Sequence, residues 1–130
     1  MMNAEFGMGN EEAKRDLRAR TKQFALRVIK MYVALRRNEI ARVLGHQAVR
    51  SGTSVGAHYR EACRARSVAE FISKLEGGLQ ELDETSYWLE LLVESGQVKK
   101  TRLEDLQHEA NELTAILASS AITAKKSRRR

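Results

Sequence analysis

Apolar residues recur along the chain in steps of three and four, the period of a helix with one buried face. Leu17, Thr21, Phe24, Val28, Met31 and Leu35 fall on one side of such a helix, with Ala25, Ile29 and Tyr32 on an adjoining strip. Asn10 is a suitable N-cap and Glu11 and Glu12 suit a first turn, so a helix is predicted over 11–36. Asn38 can cap a second helix over 39–66, although Gly45, Gly52 and Gly56 lie inside it. Those glycines share a helical face with Ala41, Ala48 and Cys63, a surface of small residues that would let another backbone come close. A break at Ser51-Gly52 is the alternative. The seam passes through without a change of phase, which favours one continuous helix.

Ser67 and Glu70 have capping-box spacing and open a third helix over 68–95. Its apolar stripe is Phe71, Leu75, Leu82, Leu89, Leu92 and Val93, and Gly96 is placed to end it. Thr101 and Glu104 repeat the capping-box spacing for a fourth helix over 102–123, with Leu103, Leu106, Ala110, Leu113 and Leu117 as its seam. Short connections between long helices predict antiparallel neighbours, hence an all-α, up-down-up-down four-helix bundle. On this reading residues 1–10 are a flexible N-terminal segment, 11–124 the bundle, and 125–130 a basic tail.

Composition agrees with that plan. There is no proline among 130 residues, and 31% of them are charged, which favours long helices over a loop-rich β fold. The single cysteine, Cys63, excludes an internal disulfide framework. No apolar run approaches the roughly twenty residues of a membrane span, and no signal-peptide pattern opens the chain, so a cytoplasmic protein without membrane contact is expected.

The net charge of +6 changes meaning once it is placed along the chain. Lys125, Lys126, Arg128, Arg129 and Arg130 supply most of the excess. Before them, residues 11–66 carry 14 basic and 5 acidic residues, whereas 67–124 carry 4 and 11. Halves of +9 and −7 can attract one another within a bundle, order subunits in an oligomer, or offer one basic surface to a polyanion. Arg15, Arg18 and Lys22 on the first helix, with the five tail cations, are the candidate nucleic-acid contacts. A solvated helix face and a solvated tail are the plainer alternatives.

The second helix is least regular where a core should be most apolar. Gln47, Ser51, Ser54, His58 and Glu61 continue the steps of Ile40 and Leu44, which puts polar groups on an inward face that needs partners. Folding the chain back at Arg66-Ser67 sets Glu61 near Lys74, Arg50 near Glu81 or Glu84, and Ser54 near Gly78. Arg50, Ser51, Ser54, Glu61, Lys74, Glu81 and Glu84 are therefore expected to form a buried structural network that fixes helix register, with Glu61 and Lys74 a buried pair.

A catalytic carboxylate or metal site is the competing reading, but a di-metal bundle needs a repeated Glu-x-x-His, and only Asp105 to His108 approaches that spacing. His46 and His108 fit exposed positions, and His58 a hydrogen-bonded seam. No His-Glu-x-x-His, Cys-x-x-Cys or phosphate-loop pattern is present. Neither a catalytic residue, a metal nor a cofactor is expected, and the chain reads as no enzyme.

The run Gln47-Ala48-Val49-Arg50-Ser51-Gly52-Thr53-Ser54-Val55-Gly56-Ala57, continued by Tyr59, Glu61 and Ala62, resembles the bacterial four-helix bundle proteins called 23S rRNA intervening-sequence proteins. Phe71, Ile72, Lys74, Leu75, Glu81, Glu84, Thr85, Tyr87, Trp88 and Leu89 match a second block of that family, and the resemblance spans about residues 12–124. His58 stands where the family run has Asn. The resemblance implies a homo-oligomer, a pentameric ring, without catalysis. It also implies kinship with the accessory variability determinant of diversity-generating retroelements, which binds a reverse transcriptase and nucleic acid. Two readings follow: an oligomer that binds RNA or DNA electrostatically, or an accessory subunit whose main partner is a protein such as a reverse transcriptase.

Overall fold

The computed structural model describes residues 11–129, and all regular structure among them is helical. Four helices follow one another: α1 (Glu11–Val33), α2 (Glu39–Cys63), α3 (Val68–Glu94) and α4 (Lys100–Arg128). The expected Asn10 cap, the N-terminal segment 1–10 and Arg130 lie outside the described residues.

Local chemistry sets the ends. Asn38 Oδ1 accepts from the backbone N–H of Ala41 at 2.8 Å and opens α2. Ser67 Oγ accepts from Glu70 N–H at 3.1 Å, while Glu70 reaches back to the N–H of Arg66 at 3.1 Å. α3 ends at Gly96, whose φ of +81° is the left-handed conformation that glycine adopts without strain. There the N–H of Gly96 bonds Val93 O and that of Gln97 bonds Leu92 O, both at 3.0 Å, so the last carbonyls are satisfied.

Several boundaries differ from expectation. α1 stops at Val33 and α2 at Cys63, each about one turn early. Thr101 does not cap α4; Lys99 stands at the N-cap without a side-chain bond, and Thr101 is already helical. The expected basic tail is largely helix, because α4 runs on to Arg128. Ser120, Ala121 and Ala124 extend the buried seam beyond Leu117, and Lys125 Nζ reaches Glu76 on α3 at 2.8 Å. Cations in the last turn also suit the negative end of the helix dipole.

The expected seams form the core. Phe24, Val28, Val55, Tyr59, Leu75, Leu82, Leu89, Leu113 and Leu117 are fully buried. α2 is continuous through its glycines, and their small face receives α1. A Cβ at Gly52 would lie 3.0 and 3.1 Å from the methyl carbons of Val28, and one at Gly56 3.2 Å from Thr21 Oγ1. Thr21 tolerates this buried position because its hydroxyl donates to Leu17 O at 2.8 Å. α2 and α3 make the most extensive contact, whereas α1 and α4, although neighbours, touch sparingly.

Candidate nucleic-acid interface

The antiparallel order brings the first turns of α1, the α2–α3 turn and the last turns of α4 to one end of the bundle. Contacts between elements fix this arrangement: Tyr59 donates to Lys14 O at 3.5 Å, and Lys125 meets Glu76 near the start of α3. Of the expected contacts, Arg15 is exposed and Arg18 half-buried at this end, and Lys22 is exposed about two turns further along α1. Lys126, Arg128 and Arg129 are exposed on the last turns of α4. Lys125 is half-buried and engaged with Glu76, so it is a structural tie as well as a cation.

The fold adds Arg60, Arg64 and Arg66, all exposed, to the same end. They were readable in principle: in an antiparallel bundle with a turn at Arg66-Ser67, that turn must lie beside the start of α1 and the end of α4. Among the described residues none of Arg15, Arg18, Lys22, Arg60, Arg64, Arg66, Lys126, Arg128 and Arg129 is ion-paired. The acids Glu11, Glu12, Asp16, Glu61, Glu70 and Glu76 lie toward the same end, but Glu11, Glu61 and Glu76 face Lys14, Lys74 and Lys125.

The α2–α3 polar network forms, but mostly at the surface. Glu61 meets Lys74 at 3.1 Å, yet its side chain is 54% exposed and that of Lys74 39%. The expected burial of Glu61 is therefore incorrect, and a solvated pair of this kind contributes no more than about 1 kcal/mol. The cause is rotational drift: steps averaging 3.5 residues on a helix of 3.6 turn a stripe gradually away from its starting face. Ser51 is buried and shares a 2.7 Å hydrogen bond with Thr85 across the interface, while Glu61 at the far end of the stripe has rotated into water.

Arg50, exposed, bonds Glu84 and lies 3.7 Å from Glu81. Ser54 donates to Arg50 O on its own helix at 2.7 Å, and a Cβ at Gly78 would lie 3.6 to 3.8 Å from Leu117, His58 and Val55, the last adjoining Ser54 in the chain. His58 Nε2 is 3.8 Å from the largely buried Glu81 carboxylate. His46 and His108 are exposed, as their positions implied. No cluster of three or more His, Cys, Asp or Glu side chains among the described residues could hold a metal ion. Cys63 lies beside Tyr59, whose hydroxyl is pushed above its ordinary acidity range by burial and then by that thiol.

An unexpected tie joins α1 to α4. Arg20 donates to both oxygens of Glu109 at 2.8 and 2.9 Å and to Glu112 at 2.5 Å. Hydrogen bonding to Glu109 holds the guanidinium above its ordinary pKa. The Arg20 hydrogen bond, with His108 adding, holds the Glu112 carboxyl below its ordinary 4.5. A carboxyl depressed on folding stabilises the fold above its unfolded pKa and loses that contribution as pH falls through its folded value. Thermal melts from about pH 6 to pH 3 should show stability falling below about 4.5, and Arg20→Gln should shrink that acid-side fall. An unchanged fall in Arg20→Gln would assign it to other carboxylates.

No helix among the described residues is long and apolar enough to cross a membrane. No curated protein matches the sequence. Among solved structures, the chain is similar to a protein of unknown function from the S23 ribosomal protein family of Bacteroides thetaiotaomicron. The two are 35% identical with a TM-score of 0.78, over 83% of this chain and 96% of that one. Residues 14–119 match the 23S rRNA-intervening sequence protein family, from the first turn of α1 to well inside α4. With four helices in the expected order and a match over most of its length, the chain belongs to the 23S rRNA-intervening sequence protein family.

Proposed function

We propose that this protein is a non-enzymatic oligomer that binds RNA or DNA through phosphate contacts at the basic end of its bundle. The observation that carries the reading is the convergence of three unpaired basic stretches: Arg15 and Arg18 on α1, Arg60, Arg64 and Arg66 around the α2–α3 turn, and Lys126, Arg128 and Arg129 on α4. Lys22 extends the surface along α1. Arg130, which follows them in the chain, adds to the same charge. Guanidinium groups suit phosphate because their fixed donor fork matches its oxygens. None of these three stretches includes an aromatic side chain, so the contact reads backbone charge and not base identity.

The test is the anisotropy of a labelled single-stranded RNA, and of its DNA counterpart, titrated with protein at low salt. Changing Arg15, Arg64, Arg128 and Arg129 together to Gln should weaken binding at least about tenfold. These side chains are exposed and unpaired, so the helical circular dichroism signal should not change. Unaltered affinity in a folded variant would move the contact elsewhere.

Assembly is part of the proposal. Leu26, Ile29 and Val33 form an exposed apolar stripe on the outward side of α1, and Ile40 and Val43 are exposed at the start of α2. Apolar area of this kind on successive helices suits contact between copies. Five copies, the number implied by the family resemblance, would place five basic ends on one assembly and multiply weak phosphate contacts. Light scattering at micromolar concentration should give a mass several times the 14.7 kDa of one chain. A mass of one chain would refute assembly.

A further inference from the structure

The seam between α1 and α4 is tied at mid-length by Arg20 with Glu109 and Glu112, and it opens toward the end that carries the α1–α2 and α3–α4 connections. There it leaves a cleft of about 640 Å³. Asn38 Nδ2, donating to Gln97 Oε1 at 2.9 Å, joins the two connections across this end. The floor is apolar: Met31 and Leu35 are half-buried, and Leu103 and Leu106 are buried. The walls are cationic, with Arg27 and Lys30 on α1 and Arg36 just beyond its end on one side and Lys99 and Arg102 at the start of α4 on the other. Asp105 is the single acid of the lining. None of these five cations is ion-paired among the described residues.

We propose that this cleft is a docking site for an acidic amphipathic helix of a partner protein. Each wall includes a pair of cations three residues apart, Arg27 with Lys30 and Lys99 with Arg102, about one helical turn. A helix laid along the cleft would set an apolar stripe on Met31, Leu35, Leu103 and Leu106 and carry carboxylates on both flanks at the matching spacing. A nucleic acid would use the walls but not the floor, which offers no aromatic ring for a base and nothing for a sugar-phosphate chain. The cleft lies at the opposite end of the bundle from the proposed phosphate-binding surface, so one subunit could hold both partners at once.

The probe is a labelled peptide of about 18 residues, with leucines at helical spacing and glutamates elsewhere, read by anisotropy against the full chain. The expected result is saturable binding with Kd on the order of 10 μM and at least about a tenfold loss in Arg27→Glu/Arg102→Glu. Ala34→Trp, at an exposed lining position, should fill the cleft and weaken binding without removing charge. Four results would overturn the proposal: no binding at about 200 μM peptide; equal binding of a version with lysines for glutamates; an affinity indifferent to both variants; or a loss of RNA binding equal to the loss of peptide binding, which would make the cleft a general polyanion surface. A change in assembly mass in Arg27→Glu/Arg102→Glu would overturn it as well, by giving the cleft to a second copy. The RNA titration of the basic-end variant fails or succeeds independently of all these outcomes.

Discussion

Gly52→Leu is expected to lower the free energy of unfolding by about 3 kcal/mol or more, the upper range for overpacking a filled interior. Gly52 is buried on the small-residue face of α2, where even a single added carbon would stand 3.0 Å from a methyl of Val28. Val28 is itself fully buried between the helices. A leucine would therefore push α1 off α2, and apart from the Arg20 tie α1 touches α4 too sparingly to compensate. Gly52→Ala is the informative control. Alanine gains about 1 kcal/mol of helix propensity over glycine, but at this position it meets Val28. Denaturant unfolding should show no net gain for Gly52→Ala alone and a recovery when Val28→Ala is added. Wild-type stability in Gly52→Leu would mean that α1 is not seated on this face.

Phe24→Ala is the second large effect, expected at about 3–5 kcal/mol. Phe24 is fully buried and is the largest apolar side chain that α1 contributes to the core. The other buried residues of α1 are Lys14, Leu17, Thr21 and Val28. Since α1 meets mainly α2, losing its largest core side chain should release the helix before the rest unfolds. Hydrogen exchange should then show protection lost along α1 while α2 and α3 keep theirs. Uniform loss across all four helices would show that the bundle opens only as a unit.

The helices were legible because their apolar spacing is regular and cooperative with the fold. Each seam residue from Leu103 to Leu117 is buried, and the glycines of α2 behave as a small surface against α1. Helix pairing was legible wherever a short turn fixed it: counting outward from Arg66-Ser67 gives both the Glu61–Lys74 pair and the approach of Arg50 to Glu81 and Glu84. Burial was less legible. The same stripe that buries Ser51 exposes Glu61, because a pattern of threes and fours does not track a helix over several turns.

Basic composition concealed the continuation of α4. Lys125 to Arg128 read as a tail, although Ser120, Ala121 and Ala124 carry the seam almost to that point. Arg20, the Glu109 and Glu112 tie and the open α1–α4 cleft carry no local signal. They depend on how closely two helices remote in sequence approach, which the pattern of either helix alone does not contain.

Salt dependence of RNA binding tests the central reading most directly. Phosphate contact by five to eight cations should give a log-log slope of Kd against salt, in the sense of weaker binding with more salt, of roughly 4 to 7 in magnitude. The slope should fall by roughly 3 to 4 when Arg15, Arg64, Arg128 and Arg129 are changed to Gln, with one unit lost per phosphate contact removed. Binding indifferent to salt, or absent at low salt, would contradict a function based on the basic end of the bundle.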